Sequence, residues 1–86
     1  MPSRTALIRS ACGLHARPGT GLAELALSFD SDITLTKADR EVNAKEVLEI
    51  LMGGMECGDE VTITATGPDE TAALDAVAHY IETTEA

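Results

Sequence analysis

The sequence has little positive charge, few cysteines and no long apolar run. Six lysines and arginines stand against fifteen aspartates and glutamates, which gives a formal net charge of -9. A protein that binds nucleic acid needs clustered positive charge, and these six residues are scattered, so nucleic acid is excluded as a partner. Either a high-salt cell interior or a general bias of the host would explain the acidity, and composition does not separate the two.

The missing apolar run and the cysteines also bear on location. No segment is long enough to cross a bilayer, and Arg4 and Arg9 interrupt the N-terminal segment, so we expect neither an anchor nor a signal peptide. Two cysteines in a chain without an export signal, Cys12 and Cys57, are expected to stay reduced. These features predict a cytoplasmic protein with no direct membrane binding.

The 86 residues are enough for one small domain, residues 1–86. Alternating apolar and polar residues predict strands at residues 5–9, 33–36, 41–43 and 61–65. Apolar residues at helical spacing predict helices at residues 16–28, at residues 44–52, and from 67–70 until fraying at 83. Half-apolar strands bury one face, so the prediction is an α+β, two-layer open-faced sandwich of order βαββαβα. Its four-stranded antiparallel sheet carries three helices on one face.

Residues 13–18, Gly-Leu-His-Ala-Arg-Pro, hold the candidate reactive group. A neutral imidazole such as that of His15 is a nucleophile near pH 7. The N–H groups of Ala16 and Arg17 come at a helix start, where amides lack intrahelical acceptors and the helix dipole favours an anion. A phosphoryl group on His15 would meet these amides and the Arg17 guanidinium. A histidine that merely caps the helix is the alternative that these six residues leave open.

Zinc binding is a further alternative from the same stretch. Cys12 and His15 have the spacing of half a zinc site, but tetrahedral zinc usually needs a second pair of ligands. Cys57 and His79 are isolated in the sequence. We therefore expect no metal site and no cofactor.

With these segments placed, the chain resembles HPr, the histidine-containing phosphocarrier of the phosphoenolpyruvate-dependent sugar phosphotransferase system. Four stretches carry the resemblance: residues 13–18, Val-Asn-Ala-Lys at 42–45, Gly-Asp at 58–59 before the strand at 61–65, and Gly-Pro-Asp-Glu at 67–70. The resemblance covers nearly the whole chain. It implies one HPr-like domain with the βαββαβα order read from periodicity.

The resemblance implies a phosphoryl relay. His15 would accept a phosphoryl group on Nδ1 from phosphorylated Enzyme I and pass it to a histidine of a sugar-specific Enzyme IIA, while Arg17 offsets the charge. In phosphoryl transfer a protein mainly positions the group and stabilises charge on its oxygens, which a few amides and one arginine can do. The protein would be a monomer and a stoichiometric phosphohistidine intermediate rather than a turnover enzyme.

Partner docking in HPr-like proteins uses apolar surface near the histidine. The matching positions here are Thr20, Val47, Leu48 and Leu51, with Met52 and Met55 nearby. Exposed apolar and methionine side chains suit a surface that meets several partners. For any one of these residues, a core position on an amphipathic helix is an equal alternative. Ile50 is the better core candidate.

The chain departs from the family at three places. Many HPr proteins carry a regulatory serine where this chain has Glu46, so kinase regulation at that position should be absent. Glu46 either closes a capping box with Asn43 or imitates a phosphoserine, and the capping box is favoured. Glu24 and Glu49 are acidic where some HPr proteins are basic, and Leu27 is uncharged; the cognate Enzyme I should then differ in charge, or the partner is another protein. Gly19 replaces a common alanine, which favours a looser first turn.

Two rival functions use the same scaffold. One is a regulator that binds a transcription factor or an enzyme through residues 47–51. The other is a nitrogen-related or dihydroxyacetone-kinase branch of the phosphotransferase system, in which the chemistry is unchanged and the acceptor differs. The presence of His15 argues against the first, and the sequence alone does not separate the second from sugar phosphotransfer.

Overall fold

The computed structural model describes residues 3–8, 16–38, 40–53 and 58–83. These residues form seven elements in the predicted order: β1 (Ser3–Leu7), α1 (Ala16–Leu27), β2 (Asp32–Lys37), β3 (Arg40–Asn43), α2 (Val47–Met52), β4 (Glu60–Thr66) and α3 (Glu70–Thr83). The α+β class and the βαββαβα order are confirmed.

The four strands form one antiparallel sheet in the order β1-β4-β2-β3. Helix α1 carries the chain from β1 past β4 to β2, and α2 carries it from β3 past β2 to β4. Two β-α-β units are therefore interleaved, each with a strand of the other between its own strands. Because strands distant in sequence are neighbours, the sheet depends on contacts that no short segment can make alone.

The core lies between the sheet and the helices and is built from aliphatic side chains. Ile33 and Leu35 in β2 and Ile63 in β4 are at most 1% exposed, whereas the alternate threonines of both strands are half-buried or exposed. This alternation is the predicted half-apolar pattern. The helix residues predicted to face the core of α3 are all buried: Leu74, Val77, Ala78 and Ile81. The sheet therefore buries one face, and the three helices cover it.

Helix α2 begins three residues later than predicted, at Val47 rather than Ala44. Residues 44–46 form a turn held from outside the helix, in which the Ala44 N–H donates to the Ile33 carbonyl at 2.9 Å. The Lys45 N–H donates to the Asn43 side chain at 2.9 Å, and Lys45 Nζ donates to the Phe29 carbonyl at 2.9 Å. These bonds outweigh the helix propensity of the segment.

The capping box predicted for Asn43 and Glu46 is wrong. Glu46 is the N-cap residue, with extended backbone (φ -108°, ψ 104°) and no side-chain cap hydrogen bond. The carboxylate that accepts the Asn43 N–H belongs to Glu49, at 2.9 Å. Because the helix starts late, Glu49 and not Glu46 occupies the third helical position, from which an acidic side chain reaches back.

The predicted end of α2 at Gly53 is confirmed. Gly53 caps the helix with right-handed backbone (φ -74°, ψ -12°), and its N–H donates to the Ile50 carbonyl at 3.2 Å. A Cβ at Gly53 would lie 3.2 Å from the Glu49 carbonyl oxygen and 3.3 Å from Val42 Cγ1. The glycine here provides space between α2 and β3.

Asp69 ties the turn before α3 to the segment before β2. Its carboxylate accepts the Ser31 hydroxyl and the backbone N–H groups of Asp30 and Ser31, the latter two at 2.9 Å. The Ser31 hydroxyl bond, followed by the backbone bonds, lowers the pKa of Asp69 below its ordinary value of 3.8. Ser31 itself is fully buried. The ionised carboxylate therefore holds two distant parts of the chain together.

We expect Asp69→Asn to lower the midpoint of thermal unfolding at pH 7 and to flatten its dependence on pH. A carboxylate whose folded pKa is depressed stabilises the fold above its ordinary pKa, here 3.8, and this contribution is lost as pH falls from that value through the lower folded pKa. The amide lacks the charge, so the variant should lose less stability than wild type over that interval. Unfolding followed by circular dichroism as a function of pH measures both effects. The exposed Asp32 provides the matched control, since Asp32→Asn should leave the midpoint nearly unchanged; equal midpoints for Asp69→Asn and wild type at pH 7 would contradict the assignment.

Candidate functional site

The site is centred on the start of α1. His15 lies outside the described residues, and so do the side chains of Ala16 and Arg17; their roles stay predictions. The backbone of α1 begins at Ala16, directly after His15 in the chain. The first amides of a helix have no intrahelical acceptor, so a helix that starts here leaves donors beside the candidate nucleophile.

Backbone hydrogen bonds hold the end of β1, the strand that precedes His15 in the chain. Ile8, the last described residue before His15, is 1% exposed. Its N–H donates to the Asp59 carbonyl and its carbonyl accepts the Gly58 N–H, each at 2.9 Å. The Asp59 carboxylate also pairs with Lys37 Nζ at 2.7 Å. The segment that carries His15 therefore leaves the sheet from a backbone position bonded on both its N–H and its carbonyl.

The predicted docking residues lie on α1 and α2, two helices that contact each other. A Cβ at Gly21 would collide with the Tyr80 hydroxyl, so that side of α1 faces α3. Thr20 and Leu27, seven residues apart, share a different side of α1. Helix α1 also contacts α2. Both are exposed, and Leu27 is 62% exposed.

Helix α2 completes this surface. Glu49 reaches Asn43 in β3, so the opposite side of α2, with Val47 and Leu51, faces α1. Val47 and Leu51 are half-buried, and Val47 packs against the core. Ile50 is fully buried, as predicted. We use the name α1–α2 face for the following residues of the two helices: Thr20, Leu27, Val47, Leu48, Leu51 and Met52. Leu48 and Met52 form its edge toward β3, where they line a pocket with Arg40, Glu41 and Glu49.

The α1–α2 face exposes more apolar surface than the sequence indicated. Leu48 is 68% and Met52 75% exposed. Leu27 joins them as an apolar member, although the sequence identified it only as a missing positive charge. The signal that could have found it is its spacing of seven residues from Thr20. Met55 lies outside the described residues.

Arg40 is a second residue that sequence analysis missed. Its Nη1 donates to the Met52 carbonyl at 3.0 Å, at the last residue of α2. A basic side chain at a helix C-terminus satisfies a carbonyl and offsets the dipole. No local sequence signal points to this contact, because Arg40 and Met52 are 12 residues apart, in β3 and α2. Arg40 therefore links the start of β3 to the end of the helix that carries Leu48 and Met52.

The described residues give no metal site and no membrane span. They contain no group of three or more His, Cys, Asp or Glu side chains that could hold a metal ion. Of the residues considered for zinc, Cys12, His15 and Cys57 lie outside the described residues, and His79 is exposed on α3. Within residues 3–8, 16–38, 40–53 and 58–83, no helix has the length and apolar character that a bilayer requires.

Comparison with known proteins identifies relatives across the whole fold. A family model described as the PTS HPr component phosphorylation site matches residues 2–83. The phosphocarrier protein HPr of Treponema pallidum is 36% identical over 77 residues, covering 90% of this chain and 88% of the relative. The phosphocarrier protein NPr of Shewanella violacea is 38% identical over 79 residues, covering 92% of this chain and 87% of the relative.

A solved structure supports the same relationship. The crystal structure of the phosphocarrier protein HPr from Bacillus anthracis superposes with a TM-score of 0.91 at 32% identity. The superposition covers 94% of this chain and 96% of that one. The similarity therefore extends over all seven elements and is not confined to the motif at residues 13–18.

Proposed function

The chain belongs to the HPr family of phosphocarriers of the phosphotransferase system, and from this membership we propose that His15 accepts a phosphoryl group from phosphorylated Enzyme I and passes it to an Enzyme IIA. The observation that carries the proposal is the match of the family's phosphorylation-site model over residues 2–83, which includes His15 and the start of α1. The fold supports it, because α1 begins one residue after the histidine.

The proposed chemistry needs only groups at the start of α1. The Nδ1 lone pair of neutral His15 attacks phosphorus, the N–P bond of the donor breaks, and a new N–P bond forms on His15. The amides of Ala16 and Arg17 and the Arg17 guanidinium would stabilise charge on the phosphoryl oxygens as it moves. The reverse step delivers the group to the acceptor. One molecule carries one phosphoryl group at a time, so the protein acts as a stoichiometric intermediate without a cofactor.

Phosphorylation of the wild-type protein tests this function directly. Incubation with phosphoenolpyruvate and Enzyme I from the same organism should add one phosphoryl group, seen by intact mass spectrometry. The group should be lost in acid and show the phosphorus NMR signal of a phosphorylated imidazole. Omitting either phosphoenolpyruvate or Enzyme I provides the control, and neither should give the modification. A protein that stays unmodified in the complete mixture would contradict the proposal.

The relative named NPr supports a second candidate function, in which a different protein receives the phosphoryl group. NPr aligns at an identity similar to that of the HPr relative. The alternative is a nitrogen-related or dihydroxyacetone-kinase branch, in which His15 carries the same group to another protein. Mixing the phosphorylated protein with purified acceptors distinguishes the branches. Fast transfer to a sugar-specific Enzyme IIA supports sugar phosphotransfer, whereas transfer only to the acceptor of another branch supports the alternative.

We also propose that this chain lacks the regulatory phosphorylation found in many HPr proteins. The position holds Glu46, which has no hydroxyl to modify and is exposed without a side-chain cap bond. The single-domain organisation over residues 1–86, the monomeric state and the cytoplasmic location stay predictions.

A further inference from the structure

The α1–α2 face carries acidic side chains around its apolar residues. Glu24 is exposed and lies three residues before Leu27, on the same side of α1. Glu46 is exposed at the start of α2. The bond from Lys45 Nζ to the Phe29 carbonyl, 2.9 Å long, brings the start of α2 to the end of α1, where Leu27 lies. Glu24, Leu27 and Glu46 therefore belong to one end of the face.

The two carboxylates are not used in capping the helices. Glu46 makes no side-chain cap hydrogen bond, although it is the N-cap residue. Glu24 lies in the middle of α1, beyond the turn in which a carboxylate could meet unpaired amides. Glu49, by contrast, uses one carboxylate oxygen to accept the Asn43 N–H. Glu24 and Glu46 therefore present negative charge to whatever covers the α1–α2 face.

Two positive side chains near the face are held by backbone carbonyls. Lys45 Nζ is bound by the Phe29 carbonyl, and Arg40 Nη1 by the Met52 carbonyl at 3.0 Å. Among the side chains that the structure describes, the end of the face with Glu24, Leu27 and Glu46 is therefore apolar or acidic, whereas the exposed Arg40 lies at the Met52 end. The formal net charge of -9 adds a long-range field of the same sign.

We propose that the α1–α2 face docks a phosphoryl donor whose contact surface is apolar and rimmed by lysine and arginine side chains. The proposal rests on the proposed function, since it names the chemistry of the protein that charges His15. Burial of Leu27, Leu48 and Met52 supplies the apolar contact, and Glu24 and Glu46 select the charge of the partner. An acidic donor would be repelled by the same two carboxylates, which also exclude the anionic surfaces of nucleic acids and membranes.

A double charge reversal tests the proposal. Glu24→Lys/Glu46→Lys should slow phosphorylation by the host's Enzyme I about tenfold or more at about 0.02 M salt, because steering by opposite charges is replaced by repulsion. The difference in phosphorylation rate between wild type and the double variant should narrow at about 0.5 M salt, where the Debye length is only a few ångströms. For wild type, the second-order rate constant should fall as salt rises. Calorimetry over the same salt range should show that Enzyme I binds wild type more tightly than the double variant. This difference in affinity should also narrow as salt rises.

Asp75 provides a matched control with the same change of charge. It is exposed in α3, and its carboxylate pairs with Arg4 Nη1 at 3.2 Å, so it lies beside β1, at the opposite edge of the sheet from β3. Asp75→Lys should lower the rate far less than either Glu24→Lys or Glu46→Lys alone, because an exposed ion pair contributes little to stability. Circular dichroism of all variants checks that the fold is intact, and Glu24→Lys alone tests the proposal if lysine at the N-cap position weakens α2.

The outcomes separate this proposal from the proposed function. If Enzyme I phosphorylates all variants equally, or wild type faster at high salt, the docking proposal is wrong and the carrier function stands. If Enzyme I binds with the predicted charge dependence and no phosphoryl group is transferred, the carrier function is wrong and the docking proposal stands. Absence of both binding and transfer would overturn both.

Discussion

His15→Ala takes up no phosphoryl group from phosphoenolpyruvate and Enzyme I, whereas His79→Ala takes up one as wild type does: this is the expected result if His15 is the acceptor. The chain has two histidines, so the pair of variants tests every imidazole. Alanine has no lone pair to form an N–P bond, so the loss should be complete rather than partial. Intact mass spectrometry of each variant after incubation gives the readout.

His79 is a suitable control because its side chain is exposed on α3. The His79 backbone carbonyl accepts the Thr83 hydroxyl at 2.7 Å, and alanine keeps that carbonyl. His79→Ala should therefore fold as wild type does, which thermal unfolding can check. Phosphorylation that persists in His15→Ala and disappears in His79→Ala would move the reactive group to α3 and contradict the assignment.

The sheet could be predicted from sequence because its signal is local. Ile33 and Leu35 alternate with polar residues, so the buried face of β2 follows from the order of side chains alone. The core positions of α3 follow from helical spacing in the same way. The strand order could not be predicted from such patterns, since the pairing of β4 with both β1 and β2 depends on contacts between distant segments.

In the candidate site, too, the features set by local sequence could be predicted, and those set by contacts between distant segments could not. The start of α1 after His15 could be predicted, because glycine and proline in residues 13–18 limit where a helix begins. The start of α2 could not, because the Lys45 bond to the Phe29 carbonyl and the Ala44 bond to the Ile33 carbonyl join segments far apart in sequence. The same late start makes Glu46 an exposed N-cap residue instead of a member of a capping box.

The turn between β4 and α3 carries the largest expected effect on stability. Gly67→Ala should lower the free energy of unfolding by about 2–5 kcal/mol, from backbone strain and overpacking together. Gly67 has φ +152°, which alanine rarely adopts, and a Cβ would lie 2.6 Å from Ser31 Cα and 2.9 Å from Ser31 Cβ. Ser31 cannot move aside cheaply, because it is fully buried and its N–H and hydroxyl are both bound by Asp69. For a domain of this size the loss is a large share of a total of about 5–15 kcal/mol.

Gly58→Ala separates the two causes of this loss. Gly58 also has positive φ, +91°, but nothing lies within 4 Å of a Cβ built there. It should therefore lose only the strain contribution, about 1–2 kcal/mol. Urea unfolding of both variants gives the free energies, and the midpoint temperature should drop by about 10 °C or more for Gly67→Ala. Only at Gly67 does the added methyl group meet atoms that the Asp69 hydrogen bonds hold in place. Equal losses of unfolding free energy in the two variants would therefore show that the contact with Ser31 adds nothing beyond backbone strain.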